Sequence, residues 1–197
     1  MRNHSLLRKS GGMAAALQIV LLLFASCGFF SRSQSRFYSL ERVAGSPVSV
    51  GGLPVGIDSL ELPPGFNRRE IVVRKADQQV DVRSNEQWSA AFQDLVLHTV
   101  AFDLASRLPE GMVVLPGAAK PVGAMRAIDL VFEELAAGPE HQIVLDARWT
   151  VRENGRPDVA NHERITVDLA SLDSASVADG VSRALAMLAD RIATRLP

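Results

Sequence analysis

The sequence predicts an α+β domain with a largely antiparallel sheet of about six to eight strands and two helices packed on one face of the sheet. Three segments between Ile128 and Leu169 alternate apolar and polar residues with a period of two, as half-buried strands do. Two other segments place apolar residues at helical spacing. In chain order, the elements are predicted as four strands, a helix, four strands and a second helix.

The composition is that of an ordinary globular protein. The chain has 197 residues, of which 47% are hydrophobic and 22% charged, which is enough for one domain with a core. Arg2, Arg8 and Lys9 lie in the first 26 residues, which contain no acid, so the remainder has 18 basic and 22 acidic residues. A nucleic-acid-binding protein would need a basic surplus to neutralise phosphates, so this charge balance argues against that class.

Residues 1–26 have the layout of a secretory signal peptide. Basic residues open the segment, and an apolar run interrupted by Gln18 extends from Met13 to Ser26. A helix of this length would reach about 21 Å, short of the ~30 Å hydrocarbon core, so we expect export and cleavage rather than a membrane span. An uncleaved signal anchor is the alternative interpretation.

The end of this run resembles a bacterial lipobox, Phe24-Ala25-Ser26-Cys27-Gly28, in which two small residues precede a cysteine. Cleavage is expected between Ser26 and Cys27. Cys27 is the only cysteine of the chain, so it cannot form an intramolecular disulfide, and lipidation of its sulfur explains an exported thiol. Gly28, rather than Asp, is similar to the pattern of lipoproteins sent to the outer membrane of Gram-negative bacteria. Residues 27–36 then form a short tether and residues 37–197 the exported domain.

Short strands and one long helix account for the first half of the domain. Pro63-Pro64-Gly65 ends the second strand. Ser84 and Gln87 form an S-x-x-Q capping box, which predicts that a helix opens there and closes at Pro109 and Gly111. One face of this helix carries Trp88, Phe92, Leu95, Thr99 and Phe102. The predicted strands are Phe37–Arg42, Val55–Leu62, Ile71–Arg74, Val80–Arg83 and Met112–Leu115.

Three alternating strands and a final helix account for the second half. The apolar strand positions are Ile128, Leu130 and Phe132, then Ile143, Leu145, Ala147, Trp149 and Val151, then Ile165, Val167 and Leu169. Turns at Gly138-Pro139 and Asn154-Gly155, a pair that accepts positive φ, predict an antiparallel meander. The opposite face carries Asp129, Glu133, Asp146, Arg148, Arg152, Arg164 and Asp168, so it meets water or a polar partner. Asp173 or Ser174 caps the final helix, whose apolar positions are Val177, Val181, Leu185, Leu188 and Ile192.

Catalytic motifs of the G-x-S-x-G, H-E-x-x-H, Walker and G-x-G-x-x-G types do not occur in the sequence. His98, His141 and His162 have no cysteine partner and no close histidine pair, so we assign no metal and no cofactor. Asp94 with Asp103, and Glu133 with Glu134, are interpreted as exposed acids beside arginines rather than as catalytic pairs. Trp88 and Trp149 are interpreted as core residues rather than as the walls of a lipid slot.

Several short motifs follow one another in an order that resembles a known family. They are Phe37-Tyr38-Ser39-Leu40, Leu62-Pro63, Phe66-Asn67-Arg68, Ile71-Val72-Val73-Arg74, Trp88, Phe132 and Leu145-Asp146-Ala147-Arg148-Trp149. With these motifs the chain resembles the ABC-type transport auxiliary lipoproteins, the family of paraquat-inducible protein C (PqiC-like). The resemblance covers about Phe37 to Leu196. Gly65 and Arg69 depart from the usual pattern of the family.

The resemblance implies a non-catalytic accessory subunit of a system that pairs an ABC transporter with MCE-domain proteins and moves phospholipid between the inner and outer membranes. Acylated Cys27 would hold it at the periplasmic face of the outer membrane, where it would dock an MCE-domain protein, in the form of a homo-oligomeric ring if the partner is tubular. The expected docking surfaces are the polar sheet face and a loop with Pro63, Phe66, Asn67, Arg68 and Arg69. A structural lipoprotein bracing another envelope assembly is the alternative, and an envelope hydrolase is a third hypothesis.

Overall fold

The structure is a computed structural model that describes residues 34–49 and 51–196. Within these ranges, eight strands form one mixed, mostly antiparallel sheet and two α-helices pack against it, so the predicted fold class is confirmed. The strands are β1 (Arg36–Tyr38), β2 (Val55–Glu61), β3 (Glu70–Arg74), β4 (Val80–Trp88), β5 (Val113–Val114), β6 (Arg126–Gly138), β7 (Gln142–Arg152) and β8 (Val159–Asp168). The helices are α1 (Phe92–Ala105) and α2 (Ser174–Arg195), and a 3-10 turn covers Ala76–Gln78.

Several sequence predictions lie outside the described residues. They are the signal peptide at residues 1–26, the cleavage site between Ser26 and Cys27, the acylation of Cys27 and most of the tether at residues 27–36. These stay predictions. In the part of the chain that the structure describes, no helix is long and apolar enough to cross a membrane.

The predicted meander is confirmed in β6, β7 and β8, which run antiparallel to one another. Their alternate apolar side chains lie under the helices, and Leu130, Leu145 and Trp149 are among the most buried residues of the protein. The turn after β6 includes His141 at a φ of 56°. In the connection between β7 and β8, only Gly155 of the Asn154-Gly155 pair adopts a positive φ, 80°.

Strand β6 pairs with other strands along both of its edges. β7 pairs with one edge of β6 from Ala127 to Gly138. The other edge is shared by β2, parallel to residues 126–131, and by β3, parallel to it at Ala137. β2 and β3 therefore lie end to end, and the loop at residues 62–69 that joins them lies beside the middle of β6. β5 continues the sheet from β2, β4 continues it from β3, and β1 pairs with β4.

Two β-bulges interrupt the pairing of β2 with β6 and of β6 with β7. The register shifts between Ile57 and Ser59 in β2, and between Phe132 and Glu134 in β6. Each bulge inserts one extra residue into its strand, and both inserted residues, Asp58 and Glu133, are exposed acids. The bulges thus add two carboxylates to the surface of the sheet.

The capping box predicted at Ser84 and Gln87 is wrong. β4 continues through both residues to Trp88, because residues 86–88 pair with β1 and Gln87 also pairs with β3. α1 begins only at Phe92, and the residue before it makes no side-chain cap. Trp88 therefore ends a strand and stacks on Phe92, with 4.7 Å between the ring centroids. Pairing on both edges of β4 outweighs the local helix signal.

The first strand is also shorter than predicted, because β1 ends at Tyr38 rather than at Arg42. The chain that follows is fixed by buried polar groups instead of strand pairing. The Val43 N–H donates to Asp103 Oδ1 at 2.8 Å, and the Val43 carbonyl oxygen accepts from Arg107 Nη1 at 2.9 Å. A side chain at Gly45 would collide with the Arg107 side chain, so the close approach requires glycine.

Asp103 and Arg107 of the α1 region and Asp190 of α2 form a polar hub. Arg107 is 2% exposed and donates through Nε to Asp190 Oδ1 at 2.5 Å. Asp103 is buried as well, and its Oδ2 has no hydrogen-bond partner. Burial opposes the charge of Asp103 and raises the pKa of its carboxyl group to about 6.

α2 covers the apolar face of the meander as predicted. Asp173 is the N-cap, since its Oδ1 accepts a hydrogen bond from the Ser176 N–H at 2.8 Å. The five predicted apolar positions from Val177 to Ile192 are all buried. Gly180 lets the helix approach the sheet closely, because a Cβ atom there would collide with Leu169 and lie 2.8 Å from Ile143 Cγ1.

Candidate docking surface

The sheet face opposite the helices, called here the outer face, carries the charged residues that the sequence predicts for the meander. Alternation along β6, β7 and β8 directs their apolar neighbours to the helices and these side chains to solvent. Most of them form two ion-pair groups; in addition, Arg148 pairs with Glu133, and Asp168 accepts a hydrogen bond from Gln142. The outer face contains Asp58, Asp129, Glu133, Glu134, Asp146, Arg148, Arg152, Arg164 and Asp168.

The bulge in β2 builds the first group. Arg152 donates through Nε to Asp129 Oδ2 at 2.5 Å and through Nη2 to Asp58 Oδ2 at 3.0 Å. Lys120, from the loop after β5, donates to Asp58 Oδ1 at 3.2 Å. The hydrogen bonds from Lys120 and Arg152 lower the pKa of Asp58, and the hydrogen bond from Arg152 lowers the pKa of Asp129. Both carboxylates are therefore ionised at neutral pH.

The second group joins four strands of the sheet. Arg164 of β8 donates to Asp146 Oδ2 at 2.7 Å and approaches Glu134 Oε2 at 3.3 Å. Arg74 of β3 donates to Glu134 Oε1 at 2.5 Å. His162 Nε2 lies 2.6 Å from Asp146 Oδ1. Desolvation raises the pKa of Asp146, but the hydrogen bonds from His162 and Arg164 outweigh it, and the pKa is lowered overall.

Glu133, Asp146 and His162 present ligand atoms that lie within 4.8 Å of one another, which is the geometry of a candidate metal site. The same carboxylates are already held by arginines, since Arg148 Nη2 lies 2.9 Å from Glu133 Oε1 and Arg164 pairs with Asp146. Two guanidinium groups beside the cluster oppose the entry of a divalent cation. The donor set therefore does not fit a metal ion well, and we assign none to it.

The other sequence candidates for chemistry are kept apart by the fold. His98 lies on α1, where Nδ1 approaches the Asp94 carbonyl oxygen at 2.8 Å, and His141 lies in the turn after β6. Asp94 is exposed whereas Asp103 is buried in the polar hub, so they do not form a carboxylate pair, and Asp103 is not the exposed acid expected. Trp88 and Trp149 are core residues, at 4% and 1% exposure.

The predicted docking loop lies between β2 and β3 and presents only part of its residues to solvent. Asn67, Arg68 and Arg69 are exposed, whereas Pro63 is buried and Phe66 is half-buried. The Phe66 N–H donates to the Pro63 carbonyl oxygen at 3.2 Å, which closes the Pro-Pro-Gly turn. The loop thus offers an amide and two guanidinium groups on a turn in which Pro63 is buried and Phe66 half-buried.

Contacts with three elements fix this loop in place. Asn67 Nδ2 donates to Gln93 Oε1 of α1 at 3.0 Å. The Trp88 N–H at the end of β4 donates to the Arg69 carbonyl oxygen at 2.8 Å. The Arg74 guanidinium lies 5.1 Å from the centroid of the Phe66 ring, and Arg74 also pairs with Glu134 of the outer face. The loop and the outer face therefore form one continuous surface.

Sequence reasoning did not single out Asp58, Arg74 or Lys120, which complete both ion-pair groups. Asp58 reaches the outer face because of the bulge in β2, and the alternation of residue types in that segment does not give the position of the bulge. Arg74 and Lys120 enter from a strand and a loop that are distant in sequence. The assembled surface carries carboxylates and arginines of opposite charge held in hydrogen-bonded pairs. It is therefore suited to charge-complementary binding of a polar partner.

The sequence of residues 38–193 matches the family model described as the ABC-type transport auxiliary lipoprotein component. No curated protein sequence matches the chain significantly.

Two solved crystal structures have a similar fold. An uncharacterized protein aligns with a TM-score of 0.67 at 15% sequence identity, covering 83% of this chain and 99% of the other. A Xanthomonas campestris protein of the DUF330 family aligns with a TM-score of 0.60 at 12% identity, covering 80% and 92%. At these identities the similarity shows a shared fold alone.

Proposed function

The chain belongs to the ABC-type transport auxiliary lipoprotein component family, and from this premise we propose that it is an accessory subunit of an intermembrane phospholipid transport system built from an ABC transporter and MCE-domain proteins. The family match over residues 38–193 is the observation that carries the proposal. A transport auxiliary role is consistent with a non-catalytic chain. A lipoprotein family is also consistent with a membrane-anchored location in the cell envelope.

Acylation of Cys27 supplies the membrane attachment in this proposal. Signal cleavage after Ser26 would leave Cys27 as the first residue of the mature chain. Each buried methylene group contributes about 0.8 kcal/mol, so the three acyl chains of a bacterial lipoprotein make attachment effectively permanent. Gly28 favours the periplasmic face of the outer membrane. The anchor confines the domain to one leaflet and thereby raises the effective concentration of its docking surface.

The outer face and the loop at residues 62–69 are the surfaces that would dock the MCE-domain protein. The outer face lies opposite the helices, the loop contacts α1 through Asn67, and the two are connected through Arg74. Their charges alternate in sign, which supports recognition of a polar protein surface rather than an array of anionic headgroups. A tubular partner would be matched by a homo-oligomeric ring of this chain. The domain's contribution is positional, since it makes and breaks no bond.

Co-purification in detergent tests the proposal directly. The acylated full-length chain, tagged at its C-terminus and expressed in its native host, should recover an MCE-domain protein together with subunits of an ABC transporter. Repeated recovery without either, at confirmed expression, would contradict the proposal. Recovery of a different envelope assembly would favour the alternative, a structural lipoprotein that braces it.

Charge reversal of matched arginines tests the docking surface. Arg148 on the outer face is 65% exposed, and Arg156 in the loop after β7 is 64% exposed. Arg148→Glu should reduce recovery of the partner about tenfold, because a like charge placed in a complementary interface costs on the order of 1 kcal/mol or more. Arg156→Glu changes the net charge equally and should leave recovery unchanged. Equal recovery with both variants would exclude the outer face as the docking site.

A further inference from the structure

The motif Phe37-Tyr38-Ser39-Leu40 contains one residue that the fold does not explain. Leu40 is buried and Tyr38 packs against the core, so both have a structural role. Phe37 directly precedes Tyr38, is 63% exposed and makes no ring contact within the described residues, among which it is the only exposed aromatic side chain. The ring is therefore open to a contact outside the domain.

Phe37 lies on an edge of the sheet. In the described part of the chain, β1 pairs with β4 alone, and Phe37 is opposite Gln87. The neighbouring Arg36 side chain is 73% exposed, and its contact with Glu86 Oε1 is long, at 3.4 Å. Because successive side chains of a strand point to opposite faces, the guanidinium group of Arg36 and the ring of Phe37 project from the two faces of this edge, and both are exposed to whatever lies beyond it.

We propose that Arg36 and Phe37 bind the interface of a phospholipid bilayer, with the ring at the boundary of headgroups and acyl chains and the guanidinium group on lipid phosphate. The inference rests on the proposed acylation of Cys27. The eight residues 28–35 separate Cys27 from Arg36. A chain of that length spans at most about 28 Å. The anchor would therefore keep this edge within reach of the headgroups of its own leaflet.

The chemistry of the edge fits a lipid surface better than a second copy of this chain. β1 has three residues, which is too short for a stable strand-to-strand contact between copies. A bilayer interface needs no such pairing, since it accepts a single aromatic ring in its apolar boundary and a single cation on its phosphates. The orientation would also place the loop at residues 62–69 near the bilayer, because Gln87 pairs with both Phe37 and Glu70.

A fluorescence experiment on the acylated full-length chain tests the contact. The protein is reconstituted in vesicles of phosphatidylethanolamine and phosphatidylglycerol, and a cysteine introduced by Ser35→Cys is labelled with an environment-sensitive dye; the sulfur of Cys27, once acylated, cannot react. Ala119→Cys, exposed in the loop after β5, supplies the comparison site. Quenching by lipids brominated in the acyl chains should be about threefold stronger at position 35 than at position 119.

The dye could be quenched merely because position 35 is close to the tether. A second substitution, made in the labelled protein, tests whether Phe37 itself contacts the bilayer. Phe37→Ser in the labelled Ser35→Cys protein should at least halve the quenching, whereas Val159→Ser, at a 41% exposed valine on β8, should leave it unchanged. Arg36→Gln should remove most of the dependence of the quenching on phosphatidylglycerol. An unchanged thermal midpoint of each variant would confirm that the fold is retained.

The outcomes distinguish this inference from the proposed function. Vesicle flotation of the unsubstituted protein reports on the anchor, and failure to float would overturn both the anchor and this contact. Flotation with equal quenching at positions 35 and 119, or with no effect of Phe37→Ser, would overturn the contact alone. Loss of the co-purifying partner on Phe37→Ser, with quenching unchanged, would show that the edge binds protein, and the inference would be wrong.

Discussion

Replacing Asp103 with asparagine should make the stability of the domain less dependent on pH. Burial raises the pKa of Asp103 from 3.8 to about 6. Between these values the folded state holds a proton that the unfolded chain has released, so the stability of the wild type falls as the pH rises through this window. A shift of about two units corresponds to a loss of about 3 kcal/mol at 1.36 kcal/mol per unit.

Asp103→Asn removes the titration and keeps an oxygen that can accept the Val43 N–H. The unfolding free energy of the variant relative to wild type should therefore increase by up to about 3 kcal/mol between about pH 4 and about pH 8. Urea unfolding followed by the fluorescence of the buried Trp88 and Trp149 at a series of pH values measures this difference. Asp94→Asn, at an exposed position of the same helix, controls for the loss of one negative charge. Profiles of Asp103→Asn and wild type that run parallel across this range would refute the reasoning.

Substitutions at three further positions have defined outcomes. Cys27→Ser should abolish the acyl mass on the mature N-terminus in intact-mass spectrometry, and a wild-type chain that starts at Met1 with a free thiol would contradict the anchor. Gly180→Ala should stabilise the helix by about 1 kcal/mol through its higher helix propensity, but overpacking against Leu169 should cost about 1–3 kcal/mol. The midpoint of thermal unfolding should therefore fall by a few degrees. Asp173→Ala should cost about 1 kcal/mol in urea unfolding through loss of the N-cap, and Asp173→Asn should restore most of it.

The sequence predicts the meander and α2 well because a strong periodic pattern coincides with burial in both. Ile143, Leu145 and Trp149 lie on the apolar side of β7, opposite Asp146, Arg148 and Arg152, and all three are buried as expected. The S-x-x-Q signal at Ser84 and Gln87 failed because it is local. Pairing with two neighbouring strands decides the conformation of that segment, and neither partner is adjacent in sequence.

The candidate surface is predicted in outline but not in its internal connections. Arg152 and Asp146 are correctly placed on the polar side of the sheet by alternation alone. Their partners Asp58 and Arg74 depend on a bulge and on the end-to-end arrangement of β2 and β3, for which one sequence offers no periodic signal. The polar hub was not predicted for a related reason: Arg107 lies two residues after the end of α1, where an arginine is expected to be exposed, yet it is almost completely buried by elements distant in sequence.

Because β2 and β3 are fixed to the same edge of β6, the separation of the two ends of the loop between them is set by β6 and not by the loop. Glu61 at the end of β2 pairs with Val131, and Val73 of β3 pairs with Ala137, six residues further along β6. Because Val73 lies three residues after the start of β3, the two ends of the loop are about three residues, or about 10 Å, apart along β6. Insertions or substitutions in the middle of the loop would change its shape and chemistry, while the distance between its two ends stays the same. Local sequence change can therefore alter the surface that this loop presents without any change in the sheet.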